Sequence, residues 1–167
     1  MLEPRPRTAQ VTGSFHTGIT VSSLDESLRF YCELLGLTLL WRRLYEEPYV
    51  FRLAGVEDAK SIDTALLEEP NSGHKVELLA YGGARQNPWR GRACDPGTSH
   101  FGLVVDDISA VVERLRDAGV ELLADGPVTI DAGTNAGARG IYLRDPDGFL
   151  IELHERAGQT LIEHAPR

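Results

Sequence analysis

Residues 140–155 read GIYLRDPDGFLIELHE, and their pattern decides how the rest of the chain is read. Asp145-Pro146-Asp147-Gly148 has the composition of a tight reversal: proline fixes its own φ, and Asp and Gly tolerate the dihedrals a hairpin turn needs. The flanking residues are expected as strands. In the second strand Phe149, Ile151 and Leu153 fall on one face and Leu150, Glu152 and His154 on the other, because side chains alternate along a strand. Glu152 is therefore a carboxylate among apolar neighbours. A carboxylate so placed needs a partner, whether a cation, a metal or its own proton.

Upstream of this hairpin, Phe101, Leu103 and Val105 share one strand face, with His100, Gly102 and Val104 on the other. Asp106 or Asp107 can cap a helix that turns Ile108, Val111, Val112 and Leu115 inward and ends at Gly119. Residues 120–123 and 141–144 read as strands on either side of a loop over 131–140. Further upstream, residues 82–97 (GGARQNPWRGRACDPG) carry glycine, proline and arginine without periodicity, which suits a connection.

The same pattern occurs once more before that connection. Phe15, Thr17, Ile19 and Val21 share a strand face, leaving His16, Gly18 and Thr20 on the other. Ser23-Leu24-Asp25-Glu26 has capping-box spacing, and Leu24, Leu28, Tyr31 and Leu35 form an amphipathic stripe that stops at Gly36. Strands are expected over 37–42, 62–67 and 75–81, with a short helix near 49–54. In the last strand Lys75, Glu77, Leu79 and Tyr81 share a face.

FHTGITVSSLDESLRFYCELLG is thus echoed by HFGLVVDDISAVVERLRDAG, with His16 matched to His100 and Leu24 to Ile108 at the same offset. A duplicated β-α-β-β-β module is the simplest reading. Each module supplies one histidine from its first strand and one glutamate from its last. All four lie on the face opposite the one that must pack on the helices. If the two sheets meet edge to edge, the four side chains converge in one cleft.

Composition narrows the partners. The chain has 167 residues, 42% of them hydrophobic, enough for one domain or two small modules sharing a core. A formal charge of −8 argues against nucleic acid and against an anionic membrane surface, which are bound through basic patches. Small molecules are the expected ligands. Cys32 and Cys94 make neither a disulfide framework nor a CxxC site, and read as free thiols of a reducing compartment. The first ten residues lack the apolar run of a signal peptide and no stretch is long enough to span a membrane, so a cytoplasmic location is expected.

HTGITVSSLDESLRFYCELLGL, VELLAYG, SHFGLVVDDISAVVERL and YLRDPDGFLIELHE together resemble the vicinal oxygen chelate superfamily, in which glyoxalases, epimerases, extradiol dioxygenases and bleomycin resistance proteins are found. The resemblance implies an α+β fold in which two βαβββ modules form a U-shaped mixed sheet around a central cleft. It divides the chain into a lead-in over 1–13, a first module over 14–81, a linker over 82–97, a second module over 98–155 and a tail over 156–167. It places metal ligands on His16, Glu77, His100 and Glu152, makes Glu152 or Glu77 the catalytic base, and implies a homodimer. Whether the modules pair within a chain or between two is open. Two imidazoles and two carboxylates suit one divalent ion among Zn, Ni, Co, Mn and Fe.

The function so implied is a metal-dependent isomerase, epimerase or lyase that moves a proton next to a carbonyl on a small substrate with adjacent oxygens. The alternatives are an Fe(II) extradiol dioxygenase using His16, His100 and Glu152, which Glu77 disfavours, and a non-catalytic sequestering protein. Position 20 is threonine where an arginine holding the glutathione carboxylate is expected of a glyoxalase I, and VELLAYG departs from that enzyme's usual sequence, so glutathione is not the expected substrate. Secondary candidates are Tyr45, Glu46 and Glu47 for acid-base or pocket roles, and His154 beside Glu152. Arg85, Arg90 and Arg92 with Trp89 could hold an anion. Gly133, Gly137 and Gly140 suggest a mobile loop over the site. For each of these an ordinary surface role is the competing explanation.

Overall fold

A computed structural model describes residues 10–158. The lead-in expected over 1–13 and the tail expected over 156–167 lie largely outside the described residues. The first round of elements is β1 (Thr17–Thr20), α1 (Leu24–Leu28), β2 (Thr38–Tyr45), α2 (Pro48–Ala54), β3 (Ser61–Glu68) and β4 (Lys75–Gly82). The second is β5 (His100–Val104), α3 (Ile108–Asp117), β6 (Val128–Thr129), β7 (Arg139–Arg144) and β8 (Leu150–Glu155). Each round makes its own four-stranded mixed sheet, in the orders β1-β4-β3-β2 and β5-β8-β7-β6. In both, the first strand runs parallel to the last and the remaining pairs are antiparallel. This is the expected α+β arrangement of two βαβββ modules.

Local chemistry sets the elements. The Ser23 hydroxyl accepts from the Glu26 N–H and starts α1, while Asp107 accepts from the Ala110 N–H and starts α3. After Leu28 the first helix widens into a π-helical stretch, Arg29–Leu34, in which the Leu35 N–H reaches back to the Phe30 carbonyl. The wider turn rotates the later residues relative to a 3.6-residue stripe. Phe30 and Tyr31 both become buried, and Leu35 of the expected stripe is only half-buried. The strand expected over 120–123 is reduced to a bridge between Leu122 and Leu143. Gly126 and Pro127 interrupt it, since proline brings no N–H to a ladder, and pairing with β7 resumes at Val128–Thr129.

One apolar core spans both modules: Ile19, Val21, Tyr31, Val76 and Leu78 from the first belong to the same cluster as Leu103, Ile108, Leu115, Ile151 and Leu153 from the second. Each such side chain stabilises the fold by about 1.5–3 kcal/mol on burial, which fixes which sheet face turns inward. Three polar ties cross the same seam. The Tyr31 hydroxyl donates to Asp145 Oδ2 at 2.9 Å, the Ser22 N–H donates to Asp147 Oδ2 at 2.9 Å, and the Arg114 guanidinium donates to the Leu34 carbonyl at 2.9 Å.

The hairpin of residues 140–155 is therefore also a latch. Asp145 is buried and accepts not only from Tyr31 but from the N–H groups of Asp147 and Phe149. Gly148 turns at φ 92°, and a Cβ there would lie 3.0 Å from Arg90 Cγ, so glycine serves both the turn and the close approach of the linker. Arg144 completes the anchorage by donating to the carbonyls of Gly148 and Gly91. At the far end of β8, Glu155 accepts two bonds from Arg139 and one from the Ile108 N–H at the start of α3.

Candidate functional site

With the inner faces of β1, β4, β5 and β8 committed to the core, their outer faces present the four residues singled out in the sequence. His16 stands immediately before β1, and its Nε2 lies 3.3 Å from Glu77 Oε2 on β4. His100 opens β5, and its Nε2 lies 3.2 Å from Glu152 Oε2 on β8. The parallel registers agree: Gly18 is opposite Glu77, and Gly102 is opposite Glu152. A Cβ at Gly18 would come within 3.9 Å of the His16 ring, and one at Gly102 within 4.0 Å of Glu152 Oε2. Glycine at both places keeps the space beside each pair open.

The structure thus brings the candidates together two by two, one imidazole and one carboxylate per module. Among the described residues of one chain no group of three or more His, Cys, Asp or Glu forms a metal cluster. The donor chemistry of each pair fits half of a divalent-metal site. Nδ1 of His16 is buried without a hydrogen-bond partner, so Nε2, the atom facing Glu77, is the nitrogen open to a cation. All four side chains are partly exposed, from 22% for Glu77 to 46% for His100, so a ligand can reach them.

The modules differ in what surrounds the pair. The Tyr142 hydroxyl donates to Glu152 Oε2 at 3.1 Å and lies 3.4 Å from His100 Nε2, with its ring edge-on to the imidazole. Burial, then the charge and hydrogen bond of Glu152, push the Tyr142 phenol above the ordinary tyrosine range. In the first module the residue facing Glu77 from β3 is Leu66, which offers no such donor. The sequence does not single out Tyr142, because a turn over 145–148 sets it opposite Ile151. The loop is Pro146–Gly148, closed by Asp145 opposite Phe149, and counting outward from that pair sets Arg144 against Leu150 and Tyr142 against Glu152.

His74 is a second unforeseen residue. Its Nε2 is 2.9 Å from the Thr17 hydroxyl, next to His16, while its ring packs against Phe101, next to His100. It joins the two histidine-bearing strands.

The secondary candidates divide. Glu47 precedes α2 and pairs with Arg43 at 2.7 Å, and Tyr45 lies under the Arg43 guanidinium, so both serve the local structure. Arg90 pairs with Glu121 at 2.7 Å, which ties the linker to the second module. The loop with Gly133 and Gly137 is closed by backbone bonds, among them the Gly137 N–H to the Ile130 carbonyl at 2.8 Å. His154 is half-buried, opposite Val104 and Gly140. Arg85 lines a cavity of about 350 Å³ together with Thr20 and Tyr81. Burial, and after it the charge of Glu77, raise the Tyr81 phenol, so this cavity lies within the field of the first pair.

Comparison with known proteins bears on the same span. A sequence profile of the Glyoxalase/Bleomycin resistance protein/Dioxygenase superfamily matches residues 13–153. A probable lactoylglutathione lyase of Synechocystis sp. is 32% identical over 140 residues, 83% of this chain and 91% of that protein. A 2-epi-5-epi-valiolone epimerase of Actinomyces sp. is 31% identical over 142 residues, 83% of this chain and 76% of that one. Among solved structures, a glyoxalase family protein from Bacillus cereus superposes with a TM-score of 0.77 at 26% identity, covering 90% of this chain and 97% of that one.

Proposed function

Because the chain belongs to the glyoxalase/bleomycin resistance protein/dioxygenase superfamily, we propose that it is a divalent-metal-dependent isomerase, epimerase or lyase that moves a proton next to a carbonyl. The observation that carries this reading is the matched pairing of His16 with Glu77 and His100 with Glu152, one pair on the outer face of each module. The names of the relatives, lyase and epimerase, support the same reaction class.

His16, Glu77, His100 and Glu152 would hold the metal. Each module offers two donors, while a divalent ion of this type takes four or more. The second pair is supplied by another copy of the chain, with the first module of one copy facing the second module of its partner. Exposed Leu40, Trp41 and Leu44 on edge strand β2 suit burial against such a copy.

When bound, the metal supplies a Lewis acid that stabilises negative charge on a substrate oxygen and so acidifies the adjacent C–H. The residues divide the remaining work. Tyr142 holds Glu152 through Oε2 and fixes its orientation. Glu77, facing Leu66, has no hydroxyl holding it among the described residues and is the carboxylate free to take the proton. As the C–H bond breaks, its electron pair moves toward the carbonyl oxygen, and Glu77 returns the proton to complete the isomerisation.

Deuterium exchange next to the carbonyl of small hydroxyketones and 2-oxo acids, followed by NMR in D2O with Zn, Ni, Co, Mn or Fe added in turn, tests the reading. Metal-dependent exchange lost in Glu77→Gln supports it. Oxygen consumption specific to Fe(II), without exchange, would point to a dioxygenase instead.

A further inference from the structure

We propose a second ligand site, on the seam between the modules and apart from both His/Glu pairs, that binds a free α-amino acid with an apolar side chain. It stands on its own observations and does not depend on the metal reading. The site is a cavity of about 400 Å³ where four segments meet: the π-helical stretch after α1, the end of α3, the β7–β8 turn and the linker. That size lies within the range of small-molecule sites. Its apolar lining comes from both modules, Phe30 and Leu34 from the first and Val120 from the second.

The charges around these apolar walls balance. Arg29, Arg90 and Arg144 line the cavity, and so do Glu26, Glu121 and Asp145. Most of them are engaged already. Glu121 accepts from Arg90 Nη1 at 2.7 Å and lies 3.3 Å from Arg144 Nε, while Arg144 gives its other two nitrogens to the carbonyls of Gly148 and Gly91. Asp145 is held by Tyr31 and by two backbone N–H groups. Left over are Arg29, part of the Arg90 guanidinium, and Glu26, since neither Glu26 nor Arg29 has an ion-pair partner among the described residues. Several other arginines lack a carboxylate partner too. Arg29 differs in lining a cavity that also holds an unpaired carboxylate, three residues away in the chain. A zwitterion answers to this remainder: Arg29 and Arg90 take its carboxylate, Glu26 takes its ammonium, and its side chain lies on Phe30, Leu34 and Val120. A simple anion or cation would leave one of the two charges unmet.

The backbone points the same way. Arg29, Phe30 and Leu34 all belong to the π-helical stretch Arg29–Leu34. Such stretches are rare and concentrate at functional sites. The matching helix of the second module, α3, is regular from Ile108 to Asp117. The first helix of the duplication thus departs from its copy where it lines this cavity.

The test titrates full-length protein, stripped of metal by dialysis against a chelator so that amino acids cannot bind through a metal, with L-leucine, L-methionine and L-phenylalanine. Glycine, 3-phenylpropionate and 2-phenylethylamine are the controls, lacking the side chain, the ammonium and the carboxylate in turn. Calorimetry should show at least one of the three apolar amino acids binding about tenfold or more tightly than every control, the worth of one charge-assisted contact. Arg29→Gln and Glu26→Gln should each remove that preference. Both side chains are exposed, so the variants retain the fold. No binding of any of the three amino acids, binding no tighter than that of the controls, or a preference that survives either replacement overturns the proposal.

Discussion

The phenol of Tyr142 donates to the same oxygen of Glu152, Oε2, that lies 3.2 Å from His100, so hydroxyl, carboxylate and imidazole form one contact group on the second module. Among the described residues no hydroxyl donates to Glu77. The two halves of a duplicated site have thereby diverged, one held and one free.

Tyr142→Phe removes a hydrogen bond to an anionic acceptor while keeping the ring. Zinc affinity, read by calorimetry, should fall about tenfold, the lower end of the effect of outer-shell partners. The midpoint of thermal unfolding should barely move, because Tyr142 is only half-buried.

Glu77→Gln and Glu152→Gln should separate. Glu77→Gln is expected to lower proton exchange by roughly 100-fold or more even at saturating metal, the usual weight of a general base. Glu152→Gln should act first on metal affinity and be partly rescued by higher metal concentration. The reverse ranking would make Glu152 the base and Tyr142 its activator.

Tyr31→Phe leaves the buried Asp145 Oδ2 without its donor and should cost about 1–3 kcal/mol in urea unfolding. The same carboxyl imposes a pH dependence. Burial pushes Asp145 above its ordinary value of 3.8, outweighing the bonds from Tyr31 and the backbone that act the other way. With the folded pKa above the unfolded one, the unfolded state binds fewer protons. The Asp145 contribution is therefore complete below about pH 3.8 and lost as pH rises through the folded value. Asp145→Asn should remove that part of the stability profile, which unfolding curves between pH 3 and 8 will show.

Mixing variants tests how the halves combine. A chain with His16→Ala and Glu77→Ala, refolded together with a chain carrying His100→Ala and Glu152→Ala, should recover roughly a quarter of the wild-type zinc sites. Random reassortment makes about half of the dimers mixed, each with one of its two sites intact. No recovery in dimers shown to be mixed would mean that the quartet does not form across copies.

Much of this was legible in the sequence because the determining signals are local. The Asp145–Gly148 turn, the caps at Ser23 and Asp107, and the strand alternation that sets Glu77 and Glu152 opposite the core each depend on a few neighbouring residues. The π-helical widening after Leu28 was not legible, since it arises where Phe30 and Tyr31 both enter a core shared with the second module. The cavity at Arg85 was equally hidden: Thr20, Val56 and Tyr81 come together only through the pairing of β1 with β4 and the placing of α2. The pairing of Tyr142 with Glu152 was not legible from an Asp145–Gly148 turn, which sets Tyr142 opposite Ile151; the loop closes one residue later, at Asp145 and Phe149, and shifts the register by one.

The central claim is that two His/Glu pairs jointly hold one divalent ion. Zinc titration of the wild type and of the four single variants His16→Ala, Glu77→Ala, His100→Ala and Glu152→Ala tests it most directly. The expected result is one zinc per chain in the wild type, with each variant weakened by more than about 100-fold, beyond the range of outer-shell losses. Uptake that survives both histidine replacements unchanged, or a wild type that binds no zinc, would contradict it.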